Sequence, residues 1–143
     1  MISLLLIGCF LITISVLLQA YCNLVWLNKV TNYINSKELS RNDILKLLIL
    51  SFLAFSFLHT VQTAIWALGY YLNPATTDHF IDFYEALYFS IVTFTTLGYG
   101  DITLNNNWRL LSGFEAINGI MLIGWTTAMM YSLIQKFTKK IHG

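Results

Sequence analysis

The sequence predicts an all-α integral membrane protein in which three helices span the bilayer and a shorter helix enters it without crossing. Three observations point there. Of the 143 residues, 57% are hydrophobic and only 10% charged, whereas an average soluble domain is roughly a quarter charged. Three apolar segments, Ile2 to Leu27, Ile44 to Leu72 and Leu110 to Phe137, each reach the length of about 20 residues that a spanning helix requires. Between the last two lies a stretch too long for a turn and too apolar for a solvated loop.

The first segment has no Lys or Arg ahead of its apolar run, and that run is long for a cleaved signal sequence. It reads as a retained, additional transmembrane helix over residues 1–28. Cys9 and Cys22 are separated on it by about 20 Å of helical rise, too far to bridge each other, and read as small apolar filler. Ser15, Gln19 and Asn23 recur at a spacing of four and read as an interhelical hydrogen-bonding face.

The connection NKVTNYINSKELSRND is polar, and Asn42 or Asp43 is the expected N-cap of the second helix. Lys29, Lys37, Arg41 and Lys46 flank it, and Lys136, Lys139 and Lys140 follow the third helix, so seven of the eight basic residues share one side. The positive-inside rule makes that side cytoplasmic. The amino terminus is then expected outside and the carboxyl terminus in the cytoplasm, with the chain in the cell (inner) membrane. Asp78, Asp82, Glu85, Asp101 and Glu115 fall on or toward the outer side, with Arg109 as the basic residue there.

The second segment exceeds what a perpendicular helix needs and is expected to tilt. Ser56, His59 and Thr63 make a polar stripe on it, again a packing face. His59 reads either as a pH sensor or as a buried, bonded imidazole. Neither of the first two helices carries the spaced arginines of a voltage sensor.

Asn73-Pro74 ends the second helix, and Asp82 with Glu85 has the spacing of a capping box before FYEALYFSIVTF. That run is too short to cross the membrane and stops abruptly in TTLGYGD, residues 95–101. Irregular backbone at membrane depth survives only where protein or water satisfies its polar groups, so the loop must line something wet.

TTLGYGD, in the order helix, re-entrant helix, loop, helix, resembles the selectivity filter of the tetrameric potassium channel pore-domain family, in its small prokaryotic form. The resemblance covers roughly residues 44–137, the expected pore module, and leaves the first helix outside. It implies a filter of Thr96, Leu97, Gly98, Tyr99, Gly100 and Asp101, four chains around one pore, and K+ held by the carbonyls of Thr96, Leu97, Gly98 and Tyr99 and by the Thr96 hydroxyl. Gly98 and Gly100 can take the positive φ that such a filter needs, while their neighbours do not. Leu97 and Tyr99 side chains would point away from the axis and pack against the re-entrant helix. The carboxyl end of that helix would aim its negative dipole at the cavity beneath. The sequence departs from the family where Leu97 replaces a commoner valine, Val92 a glutamate, Tyr88 a tryptophan and Leu104 a proline. Val92 and Tyr88 are support positions for Asp101, which leaves the Tyr88 hydroxyl as its partner within reach.

The third segment resembles the inner, pore-lining helix of that family. Gly119 lies 18 residues beyond Asp101 and admits two readings, a hinge or close packing; for Gly124 packing leads. Ile123, Thr127 and Tyr131 continue from Gly119 at intervals of four as a candidate lining face, with Tyr131 narrowing the inner mouth. Glu115 reads as filter support, as negative field at the outer mouth, or as a solvated interfacial residue. His59, His79 and His142 are scattered and no catalytic constellation appears. The expected protein is therefore not an enzyme and needs no cofactor: a passive potassium-selective channel, a homotetramer in a lipid bilayer with no nucleic-acid partner. A weakly selective cation channel and a non-conducting regulatory membrane subunit are the alternatives.

Overall fold

A computed structural model of the chain describes residues 2–36 and 40–142. Four α-helices carry the fold: α1 (Ile2–Ser36), α2 (Arg41–Tyr71), α3 (Phe83–Phe94) and α4 (Arg109–His142), with short 3-10 turns at Thr77–His79 and Asn106–Trp108. No strand occurs among the described residues. Three helices, α1, α2 and Arg109–Lys139 of α4, are long and apolar enough to cross a membrane; α3, at 12 residues, is not.

Two boundaries differ from the sequence reading. The polar connection is largely helix, because α1 continues to Ser36. At 1.5 Å per residue it runs about 50 Å, well beyond a hydrocarbon core of about 30 Å. Its last turns bury Val30 and Ile34 against Ile44, Leu133 and Phe137, and this burial is what a loop reading could not see. The N-cap of α2 is Ser40, not Asn42 or Asp43: the Ser40 hydroxyl accepts from the Asp43 N–H at 3.2 Å, and the Asp43 carboxylate accepts from the Ser40 N–H at 3.1 Å. Asp43 thus completes a capping box from the third helical position. Lys37 lies outside the described residues.

Helices α1 and α4 run parallel, with α2 antiparallel to both. Lys136 donates to Thr31 near their carboxyl ends, and Trp26 of α1 donates to Ser51 near the start of α2. One apolar cluster, built on Leu4, Leu11, Trp66, Tyr70, Phe89 and Leu111, backs α3; the second, around Val30 and Phe137, closes the opposite end.

Between the clusters lies a polar layer. The His59 Nδ1–H donates to Gln62 Oε1 at 2.8 Å, Gln62 Nε2 to Gln19 Oε1 at 3.0 Å, Gln19 Nε2 to Thr126 Oγ1 at 3.0 Å, and the Thr126 hydroxyl returns to His59 Nε2 at 3.0 Å. Every member of the cycle donates once and accepts once within it, which ties three helices in register. Interhelical bonds of this kind contribute on average about 0.6 kcal/mol each. The stripe expected on α1 is therefore buried as Ser15, Gln19 and Asn23. On α2 the stripe holds at Thr63, which is buried, and at His59, but Ser56 is exposed, and Gln62, fully buried, is the residue that pairs with α1.

Candidate functional site

The site is assembled on α3. Its N-cap is Asp82, which accepts from the Glu85 N–H at 2.9 Å. The reciprocal bond of the expected capping box goes one residue further back, with Glu85 accepting from the Ile81 N–H at 2.5 Å. Ala86, Phe89, Ser90 and Phe94 are buried, and Phe89 meets the Tyr70 ring edge-on at 5.2 Å. The short helix is thus held by one face against α2 and the outer core.

Its other end sets the course of the 95–101 loop. The Leu97 N–H donates to the Val92 carbonyl at 2.9 Å and the Thr96 N–H to the Thr93 carbonyl at 2.9 Å, with Thr96 at φ 60. This is a Schellman ending with threonine where glycine is usual. The Gly98 N–H shares the Val92 carbonyl at 3.2 Å. Val92 therefore supports the loop through its main chain, while its buried side chain offers Asp101 no polar partner. Gly98 and Gly100 have φ 57 and 79, so every second residue from 96 to 100 is left-handed. The third such position, Thr96, carries no signal in the sequence, because a β-branched residue is disfavoured there.

Residues 95–101 are all exposed in the single chain. Leu97 and Tyr99 are 56% and 66% accessible, so the packing expected for them is not made by the chain's own α3. Beside the loop a cleft of ≈ 530 Å³ is walled by Phe89, Val92, Thr96, Asp101, Arg109 and Ser112, among others.

Tyr88 donates to Asp101 at 2.7 Å. That hydrogen bond, outweighing a smaller opposing effect of desolvation, holds the Asp101 carboxyl below its ordinary value, and it raises the Tyr88 hydroxyl. The favourable pairing is present above the ordinary carboxylate pKa and is lost as pH falls through the lowered one. Tyr88→Phe is expected to move the Asp101 titration upward, read from its carboxyl carbon by NMR; an unmoved titration would mean the bond is not formed.

Glu115 is not solvated. It is fully buried behind α3, where Tyr70 donates to Oε2 at 2.7 Å and Oε1 pairs closely with the Ser90 hydroxyl. Ser90 in turn reaches the Thr63 carbonyl at 2.8 Å. One carboxyl thus joins α2, α3 and α4, and its partners Tyr70 and Ser90 were not marked by any spacing in the sequence.

Gly119 is buried at the carboxyl end of α3. A Cβ there would collide with the Phe94 carbonyl oxygen and stand 2.8 Å from its carbon. A Cβ at Gly124 would meet nothing within 4 Å. Ile123, Gly124, Thr127 and Tyr131 lie exposed along α4, on a face left open by this chain. Gly119 does not share that face. Among the described residues no cluster of His, Cys, Asp or Glu is arranged to hold a metal ion.

A family model described as ion channel matches residues 47–136, which takes in most of α2, all of α3, the 95–101 loop and α4 almost to its end. No curated protein and no solved structure matches the chain significantly.

Proposed function

Because the chain belongs to the ion channel family, a family of channels and not of enzymes, we propose that it conducts potassium passively and selectively through a pore shared by four copies of itself. The observation that carries this reading is the left-handed backbone at Thr96, Gly98 and Gly100, in a loop its own chain leaves uncovered. An ordinary strand alternates its groups from face to face; placing every second residue at positive φ lets successive carbonyls face one side. A potassium ion leaving water needs about eight oxygens in place of its hydration shell, more than one strand can offer, so four strands meet around an axis. The ligands are the carbonyls of Thr96, Leu97, Gly98 and Tyr99 with the Thr96 hydroxyl. This assigns a use to the strain at Thr96, since glycine there would relieve the backbone and remove the hydroxyl.

The uncovered surfaces fit the same assembly. Leu97 and Tyr99 need a wall, and a neighbouring chain supplies one. The open face of α4 with Ile123, Thr127 and Tyr131 borders the cavity below the filter, and Gly124 sits on it without a contact to lose. Residues 44–137 act as the pore module, with α1 an added helix bound to it through the polar cycle. The protein lies in the cell (inner) membrane with its amino terminus outside, because the basic residues Lys29, Arg41, Lys46, Lys136 and Lys139 gather at the end opposite the filter.

Flux through the purified chain in liposomes tests the proposal. Barium-sensitive flux strongly favouring potassium over sodium is expected. Equal sodium flux would replace it with a weakly selective cation channel, and a folded tetramer that passes neither ion with a non-conducting membrane subunit.

A further inference from the structure

The turn between α2 and α3 is tied to the segment that leaves the filter through a single side chain. His79 Nδ1–H donates to the Thr76 carbonyl at 3.2 Å, and His79 Nε2 accepts from the Asn105 N–H at 3.1 Å. Both partners are main-chain groups with unchangeable roles: a carbonyl only accepts and an amide N–H only donates. The arrangement therefore admits one state of the ring, neutral with its proton on Nδ1. A protonated ring would set an Nε2–H against the Asn105 N–H, donor facing donor, where a hydrogen bond had been.

His59 makes a useful contrast. Its partners are an amide and a hydroxyl, Gln62 and Thr126, either of which can rotate to present an oxygen. His59 lies among the helices of the bundle and His79 on the turn beside residues 101–105, and both are partly buried. Of the two bonded imidazoles, His79 is the one whose partners cannot adapt.

What it holds is close to the filter. The Leu104 carbonyl, next to Asn105, accepts from Arg109 Nε at 2.7 Å, and the Leu104 side chain is buried. Residues 101–105 are thereby fixed at three points: Asp101 to Tyr88 of α3, Leu104 to Arg109 of α4, and Asn105 to His79. The charged and titratable groups on the elements that meet at this turn are Asp78 on the turn itself, Tyr70 and Tyr71 at the end of α2, Asp82 and Glu85 at the start of α3, Asp101 in the loop and Arg109 at the start of α4. Tyr70, Asp82, Glu85, Asp101 and Arg109 are engaged with other partners.

We propose that His79 is a positioning residue for the outer arm of the filter and that protons on the filter side of the membrane release that arm by ionising it. Imidazole is the side chain that ordinarily changes charge between about pH 5 and 8. The outer arm is held when His79 is neutral and loses one of its three anchors when it is charged, so acid on that side lowers potassium current. In a tetramer four such anchors surround one pore. The proposal rests on the conduction and orientation proposed above, and two readouts keep their failures apart.

The first is amide exchange of Asn105 in the full-length protein in nanodiscs, expressed as protection relative to the free-chain rate at each pH. Loss of one hydrogen bond corresponds to a fall of roughly tenfold in protection between about pH 7.5 and about pH 5.5. H79Q keeps an acceptor without a titrating group and is expected to hold protection constant; H79F removes the acceptor and is expected to be low at both. The second is potassium flux in liposomes with only the filter-side pH changed, expected to fall in the native protein and to stay flat in H79Q. Unchanged Asn105 protection in the native protein, or a fall that persists in H79Q, overturns the anchor. A fall in protection with steady flux overturns its link to conduction. A protein without flux at either pH sinks the conduction reading, and the exchange data alone then decide whether His79 holds the arm.

Discussion

Gly119→Ala is expected to eliminate potassium flux while leaving the chain able to insert as three spanning helices. The added methyl would collide with the carbonyl oxygen of Phe94 and lie 2.8 Å from its carbon, and both are main-chain atoms that cannot turn aside as a side-chain tip can. Either α4 or the end of α3 must move. The end of α3 is tied by its Schellman bonds to Thr96 and Leu97, and Gly98 shares the Val92 carbonyl, so its displacement is passed directly to the strand proposed to bind the ion. Overpacking of a close contact costs about 1–3 kcal/mol and sometimes more, a large share of a total stability of about 5–15 kcal/mol. Gly124→Ala serves as the control, since its Cβ meets nothing within 4 Å of this chain. Tetramer yield and barium-sensitive flux from the two variants decide the matter: native flux in Gly119→Ala would mean that α4 does not press on Phe94.

The reason for Gly119 illustrates what a sequence carries and what it does not. Its position relative to Asp101 was visible, but whether it bends or packs depends on what faces it, and the facing atom belongs to another helix. Local signals read well. FYEALYFSIVTF became α3 with the limits Phe83–Phe94, because a capping residue stands at one end and the glycine-rich loop at the other. Across helices spacing alone fails. Of the stripe drawn on α2, Thr63 is buried and His59 bonds Thr126 of α4, but Ser56 is exposed, and Gln62, the residue that bonds α1, stood outside it. The end of α1 was missed for a related reason: a helix that leaves the bilayer exposes polar residues and resembles a loop, although Val30 and Ile34 are still buried. Thr96 was hidden by its own chemistry, since nothing local invites threonine into the left-handed region.

The second large effect is expected at Glu115, and its sign depends on which replacement is made. The Ser90 hydroxyl has one proton and two oxygens within reach, the Thr63 carbonyl and Glu115 Oε1. A carbonyl cannot donate, so with the Ser90 proton directed to Thr63 the hydrogen between Ser90 and Glu115 must come from Glu115 itself. The carboxyl is then a neutral acid that donates to Ser90 through one oxygen and accepts from Tyr70 through the other. No cation stands beside it among the described groups bonded to it, and an ion buried without a partner is far more costly than a neutral, bonded group. Glu115→Gln reproduces this pattern, with an NH2 toward Ser90 and a carbonyl toward Tyr70, and is expected to retain thermal stability and potassium selectivity. Glu115→Leu fills similar space but leaves the buried Tyr70 hydroxyl without an acceptor, a penalty of about 1–3 kcal/mol per chain. It also removes the bond that links α3 to α4 behind the 95–101 loop, and in the proposed tetramer both losses occur four times around one pore. Loss of tetramer on heating, and a fall in the potassium-to-sodium flux ratio in whatever tetramer survives, are the expected results for Glu115→Leu. Equal damage from Glu115→Gln would show that the residue works as a charged carboxylate, and the hydrogen bond between Ser90 and Glu115 would then have to run the other way.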